Sequence, residues 1–134
     1  MVSKVEYEVF GKAILDCAFE VHKELGPGLL ESIYEECLCE ELRNRGIKVQ
    51  NQVLLPVYYK GKILKNKTFR IDVLVEDIII VELKSATEIF PIDESQLVSY
   101  LKLSKMKLGY LINFNEVLLK NGIRRRLNNY FLEK

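Results

Sequence analysis

Three charged residues lie inside apolar segments that have the composition of β-strands. Asp72 lies in the middle of FRIDVLV, and Glu82 and Lys84 lie at the end of IIIVELK. Because side chains alternate between the two faces of a strand, Glu82 and Lys84 share one face. Burying such groups costs several kcal/mol unless they pair with an opposite charge or bind a metal ion. The pattern therefore indicates either an ion-paired cluster or a metal site.

A simpler interpretation is that these charges cover the solvent face of a half-exposed antiparallel hairpin. In that case Lys84 would pair with Glu82 or Asp72 and no chemistry would follow. The run from Ile78 to Val81 favours the first interpretation, because uninterrupted apolar residues are typical of a strand that is covered on both faces. Composition alone leaves both interpretations open.

The register of this hairpin decides whether the two acids can meet. Alternation along FRIDVLV predicts two sets of residues on opposite faces: Arg70, Asp72 and Leu74 on one, and Phe69, Ile71, Val73 and Val75 on the other. Directly opposed residues of an antiparallel pair face the same way, so a two-residue turn at 76–77 would set Asp72 against Val81. We therefore predict an odd-length loop or a bulge near this turn.

The helices and strands that must position these residues follow from periodicity. Apolar residues spaced by three and four predict a first helix that stops at residues 26–28 and a second that runs to about Arg45. Segments rich in β-branched and aromatic residues then predict three strands. Turn residues at 61–62 and 65–67 close the first hairpin, and the turn at 76–77 closes the second.

The second half of the chain predicts a further helix and strand. Pro91 opens the amphipathic helix, LGYLINF predicts a buried strand, and VLLKNGIRRRLNNY predicts a last hairpin or edge strand. The order α-α-β-β-β-α-β predicts one α/β domain over residues 1–134, with a mixed β-sheet flanked by helices.

Composition narrows the setting but does not name a partner. The 134 residues carry a formal net charge of +1, so an anionic partner would have to meet a local basic surface. No apolar run approaches the roughly 20 residues that span a bilayer, and the first ten residues are too acidic for a signal peptide, so we expect a cytoplasmic protein. The three cysteines, Cys17, Cys37 and Cys39, fit thiols that pack as small apolar groups.

The ordered set of motifs resembles a known group of enzymes. Asp72 followed by Glu82-Leu83-Lys84 is similar to the D…ExK signature of the PD-(D/E)XK nuclease superfamily, which has a restriction-endonuclease-like fold. GLLESIY at 28–34 resembles the motif that names the GxxExxY protein family. The likeness extends through LGPG, YYKGK, QLVSYLKL and LINF. The residue before Asp72 is isoleucine where many members of the superfamily have proline.

The resemblance implies a Mg²⁺- or Mn²⁺-dependent nuclease that hydrolyses phosphodiester bonds in DNA or RNA. Asp72, Glu82 and the backbone carbonyl of Leu83 would supply hard oxygen ligands to the metal ion. Lys84 would hold or help deprotonate the attacking water and steady the charge of the transition state. The alternative is a catalytically inactive module that binds nucleic acid or protein with the same fold.

The resemblance also assigns roles on the helices. Glu31 would reach the metal site through water or a second metal ion, and its place on the helical wheel directs it toward the sheet. Tyr34, one turn later, either joins this cluster by a hydrogen bond or is a core aromatic residue. Gln96 would orient water or phosphate near Lys84, with Tyr100 on the same helical face, unless that face is only solvated.

Nucleic-acid binding would need positive charge near the cluster. The candidates are Arg70, on the predicted face of Asp72, and the run Arg124, Arg125 and Arg126, which could equally protect an edge strand from pairing. Seven lysines are further candidates, although most lysines of a near-neutral protein only solvate its surface: Lys60, Lys62, Lys65, Lys67, Lys102, Lys105 and Lys107. Edge strands could also form a homodimer. The sequence does not separate DNA from RNA as the substrate.

Overall fold

The computed structural model describes residues 2–128 and has a five-stranded mixed sheet between two layers of helices. The sheet order is β1-β2-β3-β4-β5, with β3 and β4 parallel and the other neighbours antiparallel. The elements in chain order are α1 (Lys4–Leu25), α2 (Glu31–Asn44), β1 (Val49–Tyr59), β2 (Lys62–Val75), β3 (Ile79–Lys84), α3 (Pro91–Ser104), β4 (Leu108–Asn113), a 3₁₀ turn (Leu119–Gly122) and β5 (Ile123–Leu127). The predicted fold class and element order are confirmed.

The sheet separates two apolar cores. On one face, α1 and α2 pack on the sheet through residues such as Ile14, Leu38 and Val81. On the other face, Leu97 and Leu101 of α3 pack on a smaller cluster from β2, β3 and β4. β3 and β4 therefore contribute buried residues to both faces, which explains their uninterrupted apolar sequences.

The hairpin of β2 and β3 has the odd-length loop that the sequence requires. Val75 pairs with Ile79, so three residues, 76–78, form the loop. Glu76 and Asp77 have φ values of 52° and 60°, which turn the chain sharply. The pairing Val73↔Val81 then puts Asp72 in line with Glu82 at the next step, and the prediction of an odd-length loop is confirmed.

The predicted faces of β2 are wrong across Asp72. Phe69 and Ile71 pack in the α3 core, whereas Val73 and Val75 pack in the α1–α2 core. The alternation reverses at Asp72. On β1 the reversal is matched at Gln52, which has a φ of 54° and lies between the pairs Val53↔Ile71 and Asn51↔Val73.

The first hairpin is also corrected. Tyr59 pairs with Lys62, so the turn is Lys60-Gly61, and residues 65–67, expected in a turn, lie within β2. The tail segment was predicted to form a last hairpin or an edge strand, and β5 forms an edge strand of the sheet. The last two residues of that segment, 129 and 130, lie outside the described residues.

All three cysteines are free, and Cys17 and Cys39 are buried, which agrees with their expected role as small apolar groups. Among residues 2–128, no helix combines the length and the apolar character that crossing a membrane requires.

Candidate active site

Asp72 and Glu82 lie where β2 and β3 separate. The backbone ladder extends from Val75↔Ile79 to Val73↔Val81. Beyond it, the amide of Asp72 donates to Glu82 Oε2 at 3.0 Å and the amide of Leu83 donates to Asp72 Oδ2 at 2.8 Å. Each carboxylate is thus held by a backbone N–H of the other strand, which fixes the two acids side by side in the fork.

The electrostatic state of Glu82 is strongly perturbed. Glu82 is buried, with only 8% of the residue exposed. Burial raises the pKa of Glu82 from 4.5 to about 8, and the negative charge on Asp72 contributes in the same direction. The hydrogen bond from the Asp72 amide and the charge on Lys84 oppose this shift. A carboxylate pair with so little solvent would be stabilised by a cation.

Asp72 experiences the same forces more weakly. Burial raises the pKa of Asp72, and the nearby charge on Glu35 adds to the shift. The amide of Leu83, the ammonium of Lys84 and the polar side chain of Gln52 lower it. Asp72 therefore interacts with charged groups from β3 and from α2.

Lys84 connects these carboxylates to the third helix. Its Nζ lies 3.6 Å from Asp93 Oδ1, and about a third of its side chain is exposed. Asp93 is itself fixed at the start of α3, because its Oδ2 accepts a hydrogen bond of 2.9 Å from the Phe90 amide. The ammonium group thus lies between the fork and α3.

Glu31 is the first residue of α2 and approaches the fork from the other side. Although the residue is exposed, desolvation raises the pKa of Glu31, the charge on Asp72 raises it further and Lys84 opposes the shift. These interactions bring Glu31 into the same electrostatic cluster as Asp72, Glu82 and Lys84. Its catalytic role, like those of the other three, stays a prediction.

Tyr34 does not make the predicted hydrogen bond to this cluster. Its hydroxyl donates to the Gly26 carbonyl at 2.5 Å and accepts from the Leu29 amide at 3.1 Å. Its fully buried ring stacks on Phe114 with centroids 4.6 Å apart. Tyr34 is therefore a core aromatic residue, which was the alternative interpretation, and its hydroxyl fixes the turn before α2. Ser85 Oγ donates a hydrogen bond to the Leu29 carbonyl and so holds this turn to the end of β3.

Tyr100 lies on the side of α3 that faces the fork. Its ring packs on Phe69 with centroids 4.9 Å apart. Burial raises the pKa of Tyr100, and the negative charges on Glu82 and Asp72 raise it further. Gln96 is exposed one turn earlier on the same helix, and its role in orienting water or phosphate stays a prediction.

The predicted arginines divide into two groups. Arg70 is exposed. Burial raises the pKa of Tyr100 overall, but the positive charge of Arg70 lowers it. Because Arg70 acts on Tyr100, it lies on the same side of the molecule as the site. On β5, Arg124 Nε lies 3.4 Å from Glu94 Oε2, and Arg126 also pairs with Glu94. Arg125, between them, is exposed. Glu94 offsets part of the β5 charge, and nucleic-acid binding by these arginines stays a prediction.

Sequence reasoning missed the part of the site that lies behind Asp72. Glu35 is only 7% exposed, and its carboxylate accepts hydrogen bonds from Asn51 Nδ2 at 3.0 Å and from Gln52 Nε2 at 2.8 Å. Because the charge on Glu35 raises the pKa of Asp72 and the polar side chain of Gln52 lowers it, this second buried acid is electrostatically coupled to the fork. The only available signal was the spacing of Glu31 and Glu35, which puts both on one helical face.

The donor set suits a hard divalent cation. The groups that meet at the fork are carboxylates, whose oxygens are the ligands that hard cations prefer. The burial of these carboxylates and their mutual repulsion favour a bound positive charge. In residues 2–128, however, no three His, Cys, Asp or Glu side chains are already gathered closely enough to hold a metal ion. A cation would therefore complete its coordination with backbone oxygen and water, as Mg²⁺ usually does.

Comparison with known proteins adds the family. Residues 8–126 match the sequence profile of the PD-(D/E)XK nuclease superfamily. The chain belongs to this superfamily. Its nucleases generally use divalent metal ions, in agreement with the oxygen donors at the fork. The narrower resemblance to the GxxExxY family stays a prediction.

Other comparisons are less informative. No curated protein matches the chain significantly. A solved structure titled "Crystal structure of SSO0001" is similar at 21% sequence identity and a TM-score of 0.48, over 92% of this chain. The chain spans 60% of the length of that protein.

Proposed function

We propose that the protein is a Mg²⁺- or Mn²⁺-dependent nuclease that hydrolyses phosphodiester bonds in DNA or RNA. The observation that carries the proposal is the fork itself, in which backbone amides hold Asp72 and Glu82 together and Lys84 follows on the same strand. Membership of a nuclease superfamily supports a nucleic-acid substrate.

Asp72, Glu82 and the carbonyl of Leu83 would hold the metal ion. When bound, the ion supplies Lewis acidity to a phosphoryl oxygen and relieves the repulsion between the carboxylates. The raised pKa of Glu82, about 8, supports this assignment, because a buried acid that resists ionisation gains most from a cation.

The remaining side chains would manage the water and the phosphate. Lys84 Nζ would donate hydrogen bonds to the attacking water and to a non-bridging phosphate oxygen, where negative charge increases. The water oxygen forms the new bond to phosphorus and loses a proton to solvent, while the bond from phosphorus to the leaving oxygen breaks and that oxygen takes up a proton from solvent. Glu31 would orient water from the start of α2, and Gln96 would do so from α3.

Incubation with nucleic acid tests this proposal. Supercoiled, linear and single-stranded DNA, and RNA, are incubated with the wild type in Mg²⁺ or Mn²⁺ and in EDTA. We expect metal-dependent cleavage that Lys84→Ala abolishes and that Lys23→Ala, an exposed lysine on α1, leaves intact. Cleavage that survives Lys84→Ala would contradict the assignment, and binding without cleavage would favour the inactive module.

Several finer features are proposals of the same kind. A cytoplasmic location, a single domain over residues 1–134 and membership of the GxxExxY family follow from the sequence patterns given above. A homodimer would use β1 or β5, which are the edge strands of the sheet.

A further inference from the structure

The near-neutral net charge conceals a strong separation of charge along the chain. Between Val49 and Ile71 there are four lysines and one arginine and no acidic residue. Between Leu97 and Asn115 there are three lysines and again no acidic residue. The surface between α1 and α2 is the opposite, because Glu24, Glu36, Glu40 and Glu41 surround its cavity. Such separation creates local fields that a net charge does not reveal.

The two acid-free segments meet at one cavity, which we call the lysine pocket. The tip of the β1–β2 hairpin and the C-terminal end of α3 enclose a volume of about 560 Å³. Its polar lining comprises Tyr58, Lys60, Lys102, Ser104 and Lys105. Three lysines thus line one concave surface to which, among the described residues, no acidic residue contributes.

The lysine pocket and the fork are joined by continuous structure on the α3 face. Tyr100 faces the carboxylates and packs on Phe69 of β2. Leu103, one turn after Tyr100 and in the same apolar cluster, lines the pocket, and Lys105 lies on the order of 8 Å from Tyr100 along the helix axis, at about 1.5 Å per residue. The pocket therefore begins one helical turn from the residue of α3 that interacts with the carboxylates of the fork.

We propose that the lysine pocket binds the phosphate backbone of the nucleic-acid strand that is cleaved at the fork. This inference rests on the proposed function for the choice of ligand. Lys60, Lys102 and Lys105 supply the positive charge for phosphate oxygens, and the half-exposed ring of Tyr58 offers a face for a base. The hairpin tip and α3 together would fix the position of the strand relative to Lys84.

Binding measured without catalysis tests the lysine pocket. Fluorescence anisotropy in EDTA follows labelled single-stranded DNA and RNA, and the matching duplexes, at several salt concentrations. For the triple variant Lys60→Gln/Lys102→Gln/Lys105→Gln, we expect at least a roughly tenfold weaker affinity. The magnitude of the slope of log affinity against log salt should fall by about 2–3, because each of the three lost phosphate contacts contributes about 0.7–0.9.

A matched control removes the same charge elsewhere. The triple variant Lys12→Gln/Lys23→Gln/Lys120→Gln changes three exposed lysines outside the pocket and should keep the wild-type salt slope. Lys102 and Lys105 also lie at the negative end of the α3 dipole. If that were their only role, the pocket variant would melt at a lower temperature but keep the wild-type slope, which would overturn the inference.

The outcomes separate the two proposals. Equal effects of both triple variants, or no binding of any strand by the wild type, would overturn the lysine pocket. Pocket-dependent binding by a protein that cleaves nothing would refute the nuclease and leave the pocket supported. If the pocket variant cleaves and binds nucleic acid as the wild type does, the lysine pocket would be refuted and the nuclease supported.

Discussion

The pKa of Glu82 makes a quantitative prediction about folding stability. Between pH 4.5 and about 8, the folded protein keeps the Glu82 proton that the unfolded chain has already released. The folded state then binds more protons than the unfolded state, so the free energy of unfolding must fall as the pH rises through this range. The displacement from 4.5 to about 8 corresponds to roughly 4–5 kcal/mol, at about 1.36 kcal/mol per pH unit.

Glu82→Gln removes this titration while it conserves the shape of the side chain. The glutamine carbonyl oxygen can still accept the hydrogen bond from the Asp72 amide. Without metal, we expect the wild type to lose stability from pH 5 to pH 8 and the variant to lose much less, since only the weaker shifts of Asp72 and Glu31 remain. Above pH 8 the variant should be the more stable protein.

Urea denaturation at fixed pH steps between 5 and 9, in EDTA, measures the difference. Repeating the series with Mg²⁺ should restore the stability of the wild type at high pH and have little effect on the variant. A wild-type stability that is flat or rises from pH 5 to pH 8, or an equal slope in Glu82→Gln, would refute the reasoning.

Two further predictions concern residues that support the fork. Gln52→Ala removes a hydrogen-bond donor from the buried carboxylate of Glu35, and we expect a loss of about 1–3 kcal/mol in the free energy of unfolding by urea. A loss below about 0.5 kcal/mol would contradict a stabilising role for this hydrogen bond. Tyr34→Phe breaks two hydrogen bonds to the turn before α2 and should lower the free energy of unfolding by about 1–2 kcal/mol. The affinity for Mn²⁺, measured by calorimetry, should stay unchanged. A lower affinity would show that the hydroxyl acts on the metal site.

Local patterns in the sequence were sufficient to predict much of the fold. Periods of 3.6 and 2 located the helices and strands, and the demand that Asp72 and Glu82 share a side required the odd-length loop that residues 76–78 form. Such features depend on neighbours in the chain. They are therefore visible without tertiary structure.

The reversal of faces at Asp72 was not visible for a physical reason. On the neighbouring strand it is matched by a positive φ at Gln52, a residue type with no preference for that conformation. The role of Glu35 was hidden in a run of acidic helical residues, because its partners Asn51 and Gln52 come from a distant strand. Long-range partners of this kind leave no local pattern, and they account for the part of the site around Glu35 that sequence reasoning missed.

The most direct test of the central claim is the location of a divalent cation in a crystal. Crystals of the wild type and of Glu82→Gln are soaked in Mn²⁺, and anomalous differences locate the ion. We predict a peak between the carboxylates of Asp72 and Glu82 that is absent from the variant. A well-occupied Mn²⁺ elsewhere, with none at the fork, would contradict the metal-dependent nuclease.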